Sequence, residues 1–163
     1  MANKGEIQVR FTLDPDLWHG TASEGIWTQL VMALADKAIV EVDNIPFFSK
    51  GVSLGDKIAI VFRDGQVVFD SIVERSGHST YRVFLNNQQD STERLVRALK
   101  DFGCDWERTD FRGGNLFAVD VPPKTNIYDV YEFLEDGEND ELWMFEEGHV
   151  GHSLRGDSTS PSM

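Results

Sequence analysis

The chain has 163 residues, enough for one domain or for two small halves that share a core. Hydrophobic residues make up 40% of it and aromatic residues 11%, which excludes wholesale disorder. The net charge of −13 disfavours direct binding to nucleic acid, because an acidic surface repels phosphate groups.

The sequence also argues against a membrane or secreted protein. No run of about 18 apolar residues is present, and the first residues lead into a strand pattern rather than an apolar signal core. A single cysteine, Cys104, excludes an internal disulfide framework and is typical of a reducing compartment. We therefore expect a cytoplasmic protein.

The N-terminal half, residues 1–79, has the pattern of a β-rich unit. Apolar and polar residues alternate over 7–13, which indicates a half-buried strand. The apolar runs 26–34 and 38–42 predict a hairpin, although the first run also fits a buried helix. Two further runs flank Asp64-Gly65, a dipeptide that favours the positive φ angles of a type I′ turn. The spacing predicts a small barrel or a strongly curved sheet.

The C-terminal half, residues 80–150, begins with a predicted strand at 81–85 and a helix at 91–102. Asp90 is positioned to cap the start of this helix, and Gly103 to adopt the left-handed conformation after its end. Leu95, Leu99 and Phe102 lie at helical spacing and predict its buried face.

Four more features complete this half. Strands are predicted at 105–110 and 116–121, joined by a loop over 112–115. A second helix follows Asn126 and ends at Gly137, and a strand near 142–147 closes the unit. The resulting β-α-β-β-α-β order is that of a ferredoxin-like half, so the fold class is α+β. The Gly/Ser/Asp-rich residues 151–163 predict a disordered tail.

Three stretches carry a resemblance to a known family. They read Asp-Asn-Ile-Pro-Phe-Phe at 43–48, Ser-Leu-Gly-Asp at 53–56 and Arg-Ser-Gly-His-Ser-Thr at 75–80. In their identity, order and spacing they resemble the bacterial family catalogued as domain of unknown function 4265, over about residues 20–150. The resemblance implies a bacterial protein without an assigned activity, so it supplies no catalytic residues and no cofactor.

The third stretch offers the most reactive set of side chains. Ser76, His78 and Ser79 could serve nucleophilic catalysis if a carboxylate such as Glu74 or Asp56 oriented the imidazole ring. The alternative is that these groups hydrogen-bond the backbone where the strand begins. We favour this alternative, because one short loop seldom supplies a complete triad and no Gly-x-Ser-x-Gly motif is present.

Two other candidate sites rest on weaker patterns. Arg75 and Arg82 flank the 76–79 loop and could bind an anion or a carboxylate. The turn that begins at Asn44 carries Phe48, which either fills the core or, if exposed, anchors a partner.

Metal and thiol chemistry are not predicted. Glu147, His149 and His152 match no zinc-site spacing, so no metal or cofactor is expected. Cys104 precedes an acidic residue, which would raise its pKa, and is expected to be idle.

The acidic residues are concentrated in the last third of the chain. Between residues 105 and 147, thirteen acidic residues are opposed by three basic ones. Such a surface is either solvated or a docking face for a basic protein. Glu132, Glu135 and Glu138 are the candidate contacts. Two hypotheses follow: a non-enzymatic interaction module, such as an immunity protein or antitoxin, or an enzyme or ligand sensor that uses the 75–79 loop.

Overall fold

The computed structural model describes residues 5–86 and 88–154. The first part of the chain forms five strands: β1 Glu6–Thr12, β2 Ser23–Ala33, β3 Lys37–Val42, β4 Lys57–Arg63 and β5 Gln66–Glu74. The second part alternates strands and helices: β6 Ser79–Leu85, α1 Gln89–Phe102, β7 Asp105–Phe111, β8 Gly114–Val121, α2 Ile127–Asn139 and β9 Met144–His149. The chain is therefore α+β, with a β-rich N-terminal half.

The first sheet joins consecutive strands from β1 to β5 in antiparallel pairs. Arg10 of β1 and Val68 of β5 form one parallel pair, which closes the sheet on itself at that point. Residues 26–33 lie in β2, so the strand interpretation of this run is the correct one. Asp64 and Gly65 have φ angles of 53° and 77°, as the predicted hairpin turn requires.

The second sheet has the strand order β7-β8-β6-β9, and its neighbouring strands are all antiparallel. Alternate residues of each strand point to opposite faces of the sheet. The face that includes Tyr81 and Phe117 packs against the two helices, which contribute Leu99 and Leu134 to a common core. The opposite face includes Arg82 and is free of helices among the described residues.

Residues 43–56, here called the connecting segment, lie against this opposite face and join the two sheets. The backbone N–H of Ile45 donates to the carboxylate of Glu107 on β7 (3.0 Å). The Ser53 and Thr80 hydroxyls are 2.6 Å apart. The family-like stretches at 43–48 and 53–56 therefore belong to the contact between the two sheets.

Two predicted helix boundaries are wrong. Helix α1 begins at Gln89, because the N–H of Thr92 already bonds the carbonyl of Gln88, so Asp90 lies in the first turn rather than at the cap. Helix α2 continues through Gly137 to Asn139. Gly137 is buried against Trp143, and a Cβ built there would be 2.0 Å from the indole ring, so this glycine serves packing and not termination.

The other boundaries shift by small amounts. Gly103 has φ 81° after α1, as predicted, and the Asn126 side chain accepts from Tyr128 N at the start of α2. Phe102 is only partly buried. The 112–115 loop contracts to a two-residue turn, since β8 already begins at Gly114, and the last strand lies at 144–149 instead of 142–147.

The helices and the end of the chain are the last features of the fold. Neither helix has the length and the apolar character needed to cross a bilayer, within residues 5–86 and 88–154. Residues 155–163, most of the predicted tail, lie outside the described residues.

Candidate functional site

The 75–80 stretch is held by a carboxylate from the connecting segment. Asp56 is fully buried, and its side chain accepts from the backbone N–H of Ser76 (2.8 Å) and from Nη1 of Arg75 (3.1 Å). The Ser76 hydroxyl donates to the carbonyl of Leu54 (2.7 Å). The structure thus brings two of the family-like stretches together, and Asp56 joins them through hydrogen bonds.

His78 is oriented by a residue that the sequence did not indicate. Its Nδ1 lies 2.8 Å from Oδ1 of Asp120, which is 1% exposed on β8. Burial raises the pKa of Asp120, while the hydrogen bond and charge of His78 act in the opposite direction. The carboxylate that orients His78 is therefore Asp120, instead of Glu74 or Asp56. The Ser76 hydroxyl bonds the carbonyl of Leu54 and the backbone N–H of His78, and the Ser79 hydroxyl bonds Gly151 and His152.

Ser79 is completely buried and bonds the residues that follow β9. The backbone N–H of Gly151 donates to its Oγ (2.9 Å), and Nδ1 of His152 lies 2.6 Å from the same oxygen. Nε2 of His152 is in turn 2.9 Å from the carbonyl of Pro122. These bonds engage the hydroxyl of Ser79 and hold residues 151–152, which the sequence had assigned to the tail, against the second sheet.

Replacing Ser79 by Ala should lower the free energy of unfolding by about 1–3 kcal/mol, because the partly buried N–H of Gly151 would lose its acceptor. Denaturant unfolding at neutral pH measures this change. Ser71→Ala is a matched control, since Ser71 is an exposed serine and its loss should change stability by less than about 0.5 kcal/mol. Rapid labelling of Ser79 by a fluorophosphonate would contradict this structural role.

The two arginines that flank the loop are both engaged within the protein. Arg75 Nη1 donates to the carbonyl of Gly51 (2.5 Å) as well as to Asp56. Arg82 is 1% exposed, and its Nε donates to the carbonyl of Phe47 (2.7 Å) while Nη2 donates to that of Ser49. These contacts leave Arg82 inside the joint between the sheets and away from the surface of the loop.

Candidate metal ligands do not converge. The residues the structure describes contain no group of three or more His, Cys, Asp and Glu side chains that could hold a metal ion. His149 is partly buried, and this burial, together with the charge of Arg75, lowers its pKa. Cys104 is buried, and burial followed by the charges of Asp120 and Asp105 raises its pKa to about 12. The pKa of this thiol is therefore raised in the direction expected from the sequence, with burial as the larger cause.

The 44–48 turn is fixed by side chains of β2 and of the turn itself. Oδ1 of Asn44 accepts from the backbone N–H of Trp27 (2.5 Å). The Glu24 carboxylate accepts from the N–H groups of Phe47 (2.7 Å) and Ser49 (2.8 Å), so an internal anion already occupies these amides. Phe48 is half-buried and packs on neighbouring aromatic rings.

An open cavity of about 450 Å³ lies on the helix-free face of the second sheet. We call it the aromatic cavity, because the aromatic residues Trp18, Phe84 and Phe111 line it on this face. The Trp18 and Phe111 rings meet edge to face at 5.6 Å, and Trp18 Nε1 donates to Oε1 of Glu146 (3.1 Å). Sequence patterns did not indicate this site, because its walls come from separate parts of the chain. The one available signal was an aromatic residue, Trp18, in a turn.

The predicted acidic residues of α2 are all exposed. Among the described residues Glu132 has no hydrogen-bond or ion-pair partner, Glu135 accepts from the hydroxyl of Tyr131 (3.3 Å), and Glu138 accepts from the backbone N–H of Phe145 (3.0 Å). The charge and hydrogen bond of Glu135 raise the pKa of Tyr131, and Glu147 and Glu138 act in the same direction. Negative charge is therefore concentrated around this helix.

Comparisons with known proteins concern the fold and the family. A crystal structure described as that of a hypothetical protein from Neisseria gonorrhoeae superposes with a TM-score of 0.71 and 21% identity. The alignment covers 90% of this chain and 98% of that one, and it speaks to the fold alone. A comparison with curated proteins gives no match. The profile of the domain of unknown function DUF4265 matches residues 24–145, and the chain belongs to that family.

Proposed function

We propose that this protein is a non-enzymatic interaction module that binds a basic protein through the acidic face of α2. We define the acidic face by its exposed carboxylates, which are Asp129, Glu132, Glu135, Asp136, Glu138, Asp140 and Glu141. An immunity protein or antitoxin, which neutralises a basic toxin or nuclease, is the class of function that this chemistry fits best.

One observation carries the proposal: in the described part of the chain, no basic side chain pairs with the acidic face. The sequence from Thr125 to Leu154 contains no lysine or arginine. Among residues 5–86 and 88–154, no ion pair involves a carboxylate of α2. A field of one sign attracts an oppositely charged protein over long distances and accelerates its association.

The test compares two variants with equal net charge. One carries Glu132→Lys, Glu135→Lys and Asp136→Lys on α2. The control carries Asp16→Lys, Asp70→Lys and Asp101→Lys, which replace exposed acidic residues elsewhere in the chain. A partner is first isolated by affinity capture from the host, and its association rate with each variant is then measured by stopped-flow.

We expect the α2 variant to associate about 10-fold more slowly than the control variant at low salt. The difference should shrink as the ionic strength rises above about 0.1 M, where screening acts over about 10 Å. Equal association rates for the two variants would contradict the proposal and identify the acidic face as a solvated surface.

The second candidate function is an enzyme or sensor of an anionic ligand at the 75–79 loop. The pairing of His78 with the buried Asp120 favours it, because a carboxylate that orients an imidazole is a common arrangement in catalysis. Arg75 and the two serines are bonded within the protein, which leaves the loop few free groups for a ligand. We therefore prefer the interaction module.

We also infer the finer architecture and the location. The strand order β7-β8-β6-β9, with α1 and α2 as connections, supports a ferredoxin-like unit over 80–150. The parallel pair between β1 and β5 supports a small barrel over 1–79. A single buried cysteine supports a cytoplasmic location.

A further inference from the structure

The aromatic cavity lies beside the acidic face. Phe84, Asn86 and Met144 line it and also line a smaller cavity of about 220 Å³. Glu138 and Glu141, at the end of α2, form part of the smaller cavity. An apolar depression and a group of carboxylates therefore share one continuous surface.

The cavity walls have the chemistry of a protein-binding hot spot. Trp18 is 37% exposed and Met144 is 61% exposed, although both are large apolar side chains. Binding energy in protein interfaces is concentrated where an aromatic or other large anchor fills a pocket of this kind. The cavity volume of about 450 Å³ is enough to receive one such side chain.

Glu146 and Arg82, two of its polar residues, are bonded or buried and leave the space beside them to an apolar group. Glu146 Oε1 accepts from Trp18, and Lys50 lies 3.5 Å from the same oxygen. The other oxygen of Glu146 and Nη1 of Arg82 have no hydrogen-bond partner among the described residues, but both atoms are fully buried and out of reach of a ligand. A side chain that enters the cavity therefore needs no charged group at its end.

We propose that the aromatic cavity receives an aromatic side chain of a basic partner segment, while flanking lysines or arginines of that segment pair with Glu138 and Glu141. This inference rests on the proposed function and adds an aromatic anchor to the basic residues that the partner must carry. Charge complementarity selects the basic flanks, and the aromatic walls select the anchor.

Synthetic peptides can test the two halves separately. The probe is acetyl-Lys-Lys-Trp-Lys-Lys-amide, compared with the same peptide carrying Ala in place of Trp and with the Glu-Glu-Trp-Glu-Glu version. Binding to the full chain is followed by two-dimensional NMR, with Phe84, Phe111 and Met144 reporting on the cavity and Glu132 on the acidic face. We expect the first peptide to bind about 10-fold more tightly than the alanine peptide and to shift the cavity signals, and the acidic peptide not to bind.

Two tryptophans of similar exposure provide a matched pair of variants. Trp18→Ala should abolish the advantage of the tryptophan peptide, whereas Trp27→Ala, which removes a 41% exposed ring on β2, should leave it unchanged. Arg112 is a cation that also lines the cavity and lies over the Phe111 ring. Arg112→Ala should therefore strengthen binding of the basic peptide by about twofold.

The possible failures are distinguishable. If the tryptophan and alanine peptides bind equally and shift only signals of α2, the cavity inference is overturned while the proposed function survives. If none of the basic peptides shifts signals of α2, the acidic face fails and the inference fails with it. An undiminished advantage of the tryptophan peptide in Trp18→Ala would also overturn the inference.

Discussion

Replacing Arg82 by Met should lower the free energy of unfolding by about 3–5 kcal/mol. The guanidinium is 1% exposed and donates to the carbonyls of Phe47 and Ser49 in the connecting segment. Burial lowers the pKa of Arg82, and the nearby carboxylates of Glu146 and Glu24 oppose that effect. Methionine fills much of the same volume, so the predicted loss reflects missing donors and an uncompensated Glu146 rather than a cavity.

Urea unfolding of the variant measures this loss, and Arg97→Met is the control because Arg97 is exposed on α1. The control should change stability by less than about 0.5 kcal/mol. Adding Glu146→Gln to Arg82→Met should recover part of the loss, since Nε of Arg82 lies 3.8 Å from that carboxylate. A loss below about 1 kcal/mol for Arg82→Met would mean that water replaces the guanidinium between the connecting segment and the second sheet.

Features set by neighbouring residues were predictable from the sequence. Asp64-Gly65 specifies a turn by its own backbone preferences, and the Asn126 side chain caps α2 by accepting from the N–H of Tyr128, two residues on. Gly103 likewise acts on the helix immediately before it. In each case the interaction that determines the structure lies within a few residues, where sequence patterns report it directly.

Features set by distant residues were not predictable in the same way. The partner of His78 is Asp120, forty-two positions along the chain, and only the pairing of β6 with β8 brings them together. Gly137 has the residue type of a helix end, yet its lack of a side chain admits the ring of Trp143. Arg82 was predicted to flank the loop and bind an anion, because nothing in the sequence shows that the connecting segment covers it.

The aromatic cavity illustrates the same limit. Trp18 lies in a turn, Phe84 in β6 and Phe111 at the end of β7, and none of these positions stands out in its own segment. The acidic face could be foreseen, because helical spacing over a single segment predicts which side chains face outward. A surface assembled from one helix is thus far easier to anticipate than a cavity assembled across a sheet.

Leu99→Ala should lower the free energy of unfolding by about 2–5 kcal/mol. Leu99 has no exposed surface and belongs to the core that α1 and α2 form on the second sheet. Alanine is the better helix former, so any loss of stability comes from packing and not from the helix itself. The spread of the estimate reflects how far neighbours such as Leu95 and Phe117 can move into the vacated space.

Denaturant unfolding gives the size of this loss, with Arg97→Ala as an exposed control on the same helix. Trp27 on β2 offers a second observation, because it belongs to the first sheet. Arg82, Glu107 and Thr80 bond the connecting segment to the second sheet, so the two halves should unfold together. The Trp27 indole N–H signal, followed by NMR, and far-ultraviolet circular dichroism should then show one shared midpoint, shifted equally by Leu99→Ala. A loss below about 0.5 kcal/mol would mean that Leu99 does not pack in the core, and an unshifted Trp27 midpoint would mean that the contacts of the connecting segment do not couple the sheets.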